Sequence, residues 1–331
     1  MGFNGVAVIL AISIGFLTGC SQEEKATTEA APIEETPLLG VRGLVNLGST
    51  CYLNSLLQVL MHTTCIRDTF LSIDTDRVTG DSVDHHLIRN LSSLVTEAWV
   101  YPGPAITPWQ VFNALHSIDP VIFNQYEQQD GHEAFVAFRT ALEGASSRTM
   151  VGMHDFFGLD LSRTISCTDG SGDRPPTPAR EDGLLLSLFE KSDGVTIQEL
   201  VQDYFAPEEM GVLDACGGGH GVRRVEIVNL PRVLVLALHR NLGPGSPKIT
   251  TSVEINDILG GSIFPSATPQ SMYKLAGIMN HHGSNVKTGH YTSSFQIDGQ
   301  WYEADDSVVT RRQAAPHSSQ RATVLVYELA N

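Results

Sequence analysis

GSTCYLNSLLQVL, residues 48–60, sets a polar, glycine-led turn directly before an apolar run, with one cysteine at the junction. The apolar residues that follow recur at three- and four-residue spacing, which predicts a helix with a buried face. Cys51 is therefore predicted to lie at a helix N-terminus, where the macrodipole and unpaired backbone N–H groups favour a thiolate. A core position is the alternative interpretation, because free cysteine is among the most buried residue types.

A reactive thiolate needs a base to exchange its proton and a third group to orient that base. Among the twelve histidines, His290 has the most suggestive context, because it stands directly before a predicted strand over residues 291–297. A turn at residues 298–299 and a second strand complete a predicted hairpin, which brings His290 close to Asp305. Asp306 is the second candidate, because adjacent strand residues point to opposite faces. A structural, hydrogen-bonded histidine is the competing interpretation of His290.

The predicted secondary structure changes near residue 160, from helices to strands. Helical spacing dominates residues 51–160, and Pro108 is expected at a helix start. Short strands are predicted afterwards, at 161–167, 223–228, 232–238, 273–279, 291–297 and 322–328. A helical half followed by an antiparallel half predicts an α+β fold with a site in the cleft between them.

Composition limits the classes of function. The 331 residues, with 42% hydrophobic content, can bury a substantial core, and the formal charge of −16 argues against a nucleic-acid-binding surface. A basic partner or a basic peptide tail suits this charge better. The five cysteines are too few and too scattered for a disulfide scaffold.

The N-terminus has its own pattern. Residues 6–17 form an apolar stretch of signal-peptide length, and Leu17-Thr18-Gly19-Cys20 resembles the lipobox of bacterial lipoproteins. We therefore expect a signal segment over residues 1–20 and membrane attachment through a lipidated Cys20, in the bacterial envelope, or secretion, rather than a cytoplasmic location. A short signal anchor or an uncleaved leader is the alternative, because no basic residue precedes Lys25.

Two further regions follow the signal segment. Residues 21–38 are rich in Glu, Thr, Ala and Pro without an apolar period, which predicts a flexible tether. Residues 39–331 are expected to form the folded catalytic domain.

Four separated blocks resemble those of the ubiquitin-specific proteases, in the order found in that family. They are the cysteine box at 43–60, QQDGHEAF at 128–135, the strand LPRVLVLALHR at 230–240, and a histidine box formed by GHYTS at 289–293 with WYEADDSVV at 301–309. The resemblance implies a papain-like cysteine protease fold with a helical thumb, an antiparallel β palm and reduced fingers. It also implies cleavage after the C-terminal glycine of ubiquitin, so ubiquitin or ubiquitinated proteins are the expected partners.

The resemblance assigns catalytic roles to individual residues. Cys51 matches the nucleophile, His290 the general base and then acid, and Asp305 the group that orients His290, with Asp306 as the second candidate. Asn46 matches the side chain that stabilises the oxyanion beside the backbone N–H of Cys51. For Asn46 a turn-forming role is an equal alternative.

Other residues near these motifs are expected to contact the substrate. Asp130 and Glu133 would face the substrate tail or brace the cleft, unless they only favour a solvated helix start. Tyr291 is expected in the substrate-binding set. His281 and His282 are interpreted as loop residues, with a place in the cleft as the alternative.

The chain departs from the family in the predicted fingers. Many members have two CxxC pairs there that bind zinc, whereas this chain has Cys167, Cys216 and a nearby His220. Because these do not complete a tetrahedral site, we predict no metal and no cofactor. If the chain is exported to an oxidising compartment, Cys167 and Cys216 are expected to form a disulfide instead.

The sequence therefore predicts a thiol-dependent deubiquitinase. Two alternatives are an inactive ubiquitin-binding module and a protease for a ubiquitin-like modifier. The intact set of Cys51, His290 and Asp305 argues against the inactive module.

Overall fold

The computed structural model describes residues 39–149, 156–168, 175–241, 246–265, 271–285 and 288–330. Pro37–Asn331 forms one compact unit. The predicted signal segment with Cys20 and the predicted tether lie outside the described residues. In the part of the chain that is described, no helix is both long enough and apolar enough to cross a membrane.

The described residues contain six α-helices, five of which precede residue 150, as the helical pattern predicts. They are α1 Cys51–His62, α2 Thr64–Ser72, α3 Val83–Val100, α4 Trp109–Ile118, α5 Gly131–Thr149 and α6 Ile197–Phe205.

The strands of the described chain follow α5. They are β1 Leu159–Cys167, β2 Thr177–Glu181, β3 Leu184–Ser187, β4 Val195–Thr196, β5 Glu208–Leu213, β6 Gly219–Asn229, β7 Val233–His239, β8 Val253–Glu254, β9 Ile258–Gly260, β10 Met272–His282, β11 His290–Ile297, β12 Gln300–Asp305, β13 Val308–Arg311, β14 Ser318–Ser319 and β15 Ala322–Leu329. The main sheet has the order β13-β12-β11-β10-β15-β7-β3, with β9 added to β10. A four-stranded sheet, β2-β1-β6-β5, and a small sheet, β14-β8-β4, complete the fold.

Helix α1 lies at the centre of the molecule. All twelve of its residues are buried, and it packs against β11 and β10 on one side and against α2 and α5 on the other. A helix enclosed in this way needs partners for its polar residues, and Gln58, for example, donates to the carbonyl of Arg42 over 2.8 Å. The apolar run after Cys51 thus fixes the position of the helix start.

The main sheet is covered on both faces. Alternate residues of β7 enter different cores: Val233 and Val235 pack with the helices, whereas Leu234 and Leu236 pack with α6 and the short strands. This alternation follows the two-residue period of a strand and explains why β7 is an unbroken apolar run. The α+β class with a helical half and a largely antiparallel half is confirmed.

Two features of the second half differ from the sequence prediction. The pairs β3–β7 and β4–β8 are parallel, and α6 interrupts the strands. The signal for α6 is a capping box, in which the Thr196 side chain accepts from Glu199 N–H and the Glu199 carboxylate accepts from Thr196 N–H. Helix α6 was not predicted, because strand patterns surround its segment in the sequence.

The four-stranded sheet contains the disulfide. Cys167, at the end of β1, is bonded to Cys216, and their Cα atoms are 5.5 Å apart. This confirms the expected pairing. The sheet occupies the part of the chain where the resemblance predicts reduced fingers.

Candidate active site

Cys51 is the first residue of α1, directly after the N-cap residue Thr50, as predicted. Only 3% of its surface is exposed. Burial raises the pKa of the Cys51 thiol, and hydrogen bonds from the Tyr291 backbone and the Gln128 side chain oppose this rise. The net direction is opposite to the one expected from the helix N-terminus alone, because desolvation penalises the thiolate. Formation of the thiolate therefore calls for a base.

His290 and Asp305 meet as the hairpin predicts. His290 is the first residue of β11, Asp305 is the last residue of β12, and His290 Nε2 lies 2.6 Å from Asp305 Oδ1. The connecting turn has positive φ at both Asp298 and Gly299, 49° and 79°, which is the geometry of a tight type I′ hairpin. Because Asp305 engages Nε2, Nδ1 is the ring nitrogen left to exchange a proton with a thiol.

Cys51 and His290 line one cleft, with a volume of about 610 Å³. Among the described residues no hydrogen bond joins them; instead the Gln128 amide lies between their two segments. Its Nε2 donates to Gly289 O over 2.9 Å and lies 3.4 Å from Cys51 Sγ. The sequence analysis missed this role of Gln128, although the residue opens the block at 128–135.

Asp306 does not share the role of Asp305. Its Oδ2 accepts from Asn46 Nδ2 and its Oδ1 from Asn54 Nδ2, each over 2.8 Å. Within the described residues His290 pairs with Asp305. The register of the hairpin therefore separates the two adjacent carboxylates, one toward the base and one toward Asn46.

Asn46 forms the turn that was one of its two expected roles, and the oxyanion role stays a prediction. Its Oδ1 accepts from the backbone N–H groups of Gly48 and Thr50, over 3.0 and 3.2 Å, which forms the turn before α1. Its Nδ2 carries two hydrogens, and the bond to Asp306 uses one of them. Because Asn46 also lines the cleft with Cys51, the second N–H is available for an oxyanion.

The predicted substrate-binding residues lie beside this cleft. Asp130 accepts from the backbone N–H groups of His132 and Glu133, over 2.8 and 3.2 Å, and so caps α5. Asp130 and Glu133 line a separate cavity of about 180 Å³. Tyr291 also reaches that cavity but is 1% exposed, and its hydroxyl accepts from Gly131 N–H over 3.0 Å. Its ring is buried and braces the start of α5, and its contact with substrate stays a prediction.

His281 and His282 belong to strand β10, so their interpretation as loop residues was wrong. His281 is 1% exposed, and its ring contacts the Tyr291 ring with centroids 4.6 Å apart. Burial and the nearby Lys248 lower the pKa of His281 to about 4. His282 Nε2 lies 2.8 Å from Thr292 Oγ1 on β11.

One group of metal-capable side chains lies together in the described chain. The donor atoms of His290, Asp305 and Asp306 are all within 4.8 Å of one another. Asp305 already holds the His290 ring and Asp306 holds two amides, so the geometry is that of an oriented base.

Comparison with protein families gives one match that covers most of the chain. The model of the ubiquitin carboxyl-terminal hydrolase family matches residues 42–327. Human ubiquitin carboxyl-terminal hydrolase 17-like protein 15 is 26% identical over 93% of this chain and 58% of its own length. Bovine ubiquitin carboxyl-terminal hydrolase 22 is 25% identical over 87% of this chain and 67% of its own length. The chain thus spans about three fifths to two thirds of the length of these relatives.

Solved structures show the same fold. The SAGA Ubp8/Sgf11/Sus1/Sgf73 DUB module bound to ubiquitin aldehyde contains a chain that superimposes with a TM-score of 0.75 at 22% identity. The match covers 92% of this chain and 72% of that one. The module bound to monoubiquitin gives a TM-score of 0.74 at 23% identity, over 92% and 73% of the two chains.

Proposed function

Since this chain belongs to the ubiquitin carboxyl-terminal hydrolase family, we propose that it is a thiol-dependent deubiquitinase that hydrolyses the amide or isopeptide bond after the C-terminal glycine of ubiquitin. One observation carries the proposal: His290, which is paired with Asp305, lines the same cleft as Cys51, at the start of the central helix. A nucleophile, a base and an orienting carboxylate in this arrangement support acyl transfer through a thioester.

The residues divide the chemistry as follows. His290 Nδ1 takes the proton of the Cys51 thiol, and the thiolate attacks the carbonyl carbon of the terminal glycine. Asn46 Nδ2–H and the Cys51 backbone N–H stabilise the oxyanion. His290 then returns the proton to the leaving amine, which leaves a thioester on Cys51. A water molecule, deprotonated by His290, hydrolyses this thioester and restores the thiol with release of the glycine carboxylate.

The charge of the protein suits this substrate. The tail of ubiquitin is basic, whereas the chain has a formal charge of −16 and Glu127 lies in the cleft. The neighbouring cavity is lined by Asp130 and Glu133 together with Arg240 and Lys248. A net negative charge raises the local concentration of a basic chain and speeds its association. Ubiquitin and ubiquitinated proteins are accordingly the proposed partners.

Turnover of a fluorogenic amide of the ubiquitin C-terminus tests the proposal. The wild-type chain is expected to release the fluorophore, and Cys51→Ala is expected to abolish release. Cys65→Ala is the matched control, because Cys65 is the other free cysteine of the described chain and lies outside the cleft. Turnover that survives Cys51→Ala would refute the proposal.

The alternatives give different results with the same proteins. Binding of ubiquitin without turnover, and without labelling by a thiol-reactive ubiquitin probe, indicates an inactive binding module. Labelling by probes of other modifiers but not by the ubiquitin probe indicates a protease for a ubiquitin-like protein.

We also propose that the chain is exported and attached to a membrane through a lipid on Cys20, in a bacterial envelope, or is secreted. The lipobox-like Leu17–Cys20 supports this proposal, and the Cys167–Cys216 disulfide suits an oxidising compartment. Detergent phase partitioning of the full chain made in a bacterial host tests it. The wild type is expected in the detergent phase and Cys20→Ser in the aqueous phase; an unmodified Cys20 in the mass spectrum of the wild type would contradict lipidation.

A further inference from the structure

Two buried polar side chains, Lys248 and His281, form a row with the partly exposed Gln128 that ends at Cys51. Lys248 Nζ lies 2.9 Å from His281 Nδ1, and His281 Nε2 lies 3.4 Å from Gln128 Oε1. Gln128 Nε2 in turn lies 3.4 Å from Cys51 Sγ. Lys248 and His281 are 7% and 1% exposed, and the Lys248–His281 contact is direct. The role described above for the catalytic residues does not use Lys248 or His281.

The lysine determines the tautomer of His281. A charged ammonium group has three donors and no acceptor, so His281 Nδ1 must accept the hydrogen bond from Lys248. The ring proton then lies on Nε2. The same ammonium group donates to the backbone carbonyl of His281 over 2.8 Å, and this second hydrogen bond holds Lys248 Nζ beside the ring. His281 is thereby a neutral ring that presents an N–H to Gln128.

The tautomer in turn determines the orientation of the Gln128 amide. Only Oε1 of that amide can accept from His281 Nε2–H, so the NH2 group must point the other way, toward Cys51 Sγ and Gly289 O. We propose that Lys248 and His281 are positioning residues that fix the Gln128 amide, and that the oriented Gln128 N–H is a catalytic donor that stabilises the Cys51 thiolate. The inference rests on the proposed function, in which Cys51 is the nucleophile.

The charges around Lys248 explain why a purely structural role is a poor account of this residue. Burial, Arg240 and Arg321 lower the pKa of Lys248 to about 8, and Asp130 opposes this change. An ammonium group is thus held where desolvation and two neighbouring cations disfavour it. The two hydrogen bonds from Lys248 to His281 are the favourable interactions that oppose this cost. A neutral apolar side chain would avoid the cost but would leave the His281 tautomer unspecified.

The position of Gln128 also connects the two halves of the site. Its second hydrogen bond goes to the carbonyl of Gly289, the residue before His290. A rotated amide would place Oε1 against both that carbonyl oxygen and the sulfur, and would lose both donors. The orientation therefore affects the nucleophile and the segment that leads to the base.

The test measures the reactivity of the Cys51 thiol without ubiquitin. The rate of alkylation of the Cys51 peptide by iodoacetamide is followed against pH by mass spectrometry, in wild type, Gln128→Ala, Lys248→Met and the double variant. Gln128→Ala and Lys248→Met are each expected to raise the pKa of Cys51 by about one unit. In the Gln128→Ala background, Lys248→Met is expected to add no further shift, because Lys248 acts through Gln128.

Three controls accompany this double-mutant cycle of Gln128→Ala and Lys248→Met. Lys274→Met makes the same substitution at an exposed lysine of β10 and is expected to leave the Cys51 pKa unchanged. Lys248→Arg keeps a cationic donor for His281 Nδ1 and is expected to recover part of the shift. Thermal unfolding of each variant shows that it is folded.

The outcomes are distinct. An equal shift from Lys248→Met in both backgrounds would mean a through-space charge effect and would overturn the inference, as would no shift in either. Nitrogen-15 NMR of wild type gives a test that needs no variant: a proton on His281 Nε2 is expected, and a proton on Nδ1 would overturn the inference. A thiol that responds as expected in a protein without ubiquitin hydrolase activity would refute the proposed function, while the positioning of Gln128 at the Cys51 thiol would still be supported.

Discussion

At the scale of single residues, planar side-chain groups hold the site together. The Gln128 amide joins the nucleophile to the segment before His290, and the Asp306 carboxylate joins Asn46 to Asn54 on α1. Each group makes two directed hydrogen bonds, so the loss of one side chain affects two elements. Asp305 differs, because it is exposed and the described structure gives it His290 alone.

The two aspartates are therefore expected to respond differently to substitution. Asp305→Ala is expected to lower kcat by roughly 10²- to 10⁴-fold with little change in unfolding free energy, because it removes only the orientation of the base. Asp306→Asn keeps a residue that tolerates the φ of 48° but replaces one of the two acceptor oxygens by an NH2 group, which loses one amide contact and sets donor against donor, so it is expected to lower the unfolding free energy by about 1–3 kcal/mol. Steady-state kinetics and urea unfolding measure both effects. A larger kcat loss in Asp306→Asn than in Asp305→Ala, at unchanged stability, would contradict this assignment. Asp306 would then be the residue that orients the base.

At the scale of elements, the site depends on how α1 lies against the main sheet. Gly277 of β10 is the point of closest approach: a Cβ atom there would lie 2.8 Å from Val59 Cγ1 and 3.0 Å from Ser294 O. Such a distance leaves no room for a side chain, so the glycine lets the C-terminal half of α1 pack closely against β10. The position of the helix that begins at Cys51 thus follows partly from a residue with no catalytic group.

Gly277→Ala is accordingly expected to lower the unfolding free energy by about 1–3 kcal/mol and to reduce kcat, because α1 must shift away from the sheet. Gly211→Ala on β5 is the matched control, since a Cβ atom there would have no neighbour within 4 Å. Urea unfolding and amide turnover of the two variants measure the difference. Removing the opposing methyl groups with Val59→Ala in the Gly277→Ala background is expected to return part of the kcat. Equal effects of the two glycine substitutions would show that the close approach is unimportant.

At the scale of the whole molecule, the main sheet and the helices hold the site, and the disulfide stabilises a sheet apart from it. The Cys167–Cys216 bond closes a sequence separation of 49 residues and constrains the unfolded chain. Neither cysteine lines the cleft of Cys51 and His290. Stability and reactivity of the protein are therefore expected to separate when the disulfide is removed.

Replacement of both Cys167 and Cys216 by alanine is expected to lower the unfolding free energy by about 3–4 kcal/mol, from the entropy of a loop of this length. The alkylation rate of Cys51 is expected to remain that of wild type. Dithiothreitol should reproduce the loss of stability in wild type and have no effect on the double variant. A wild-type melting temperature that is unaffected by dithiothreitol would contradict a stabilising disulfide.

The sequence by itself determined the α+β class, the start of a helix at Cys51 and the hairpin that brings His290 to Asp305. These features depend on local patterns: the start of an apolar helical run and an Asp-Gly hairpin turn. The Cys167–Cys216 disulfide was a conditional expectation that followed from the family resemblance. Only the tertiary structure decided the separate role of Asp306, the burial of Tyr291, and the row from Lys248 through His281 to Gln128. The contacts of Gln128 span 77 residues to Cys51 and 161 residues to Gly289. No local pattern encodes such contacts, because side-chain direction and burial at the site follow from the packing of α1 against the sheet.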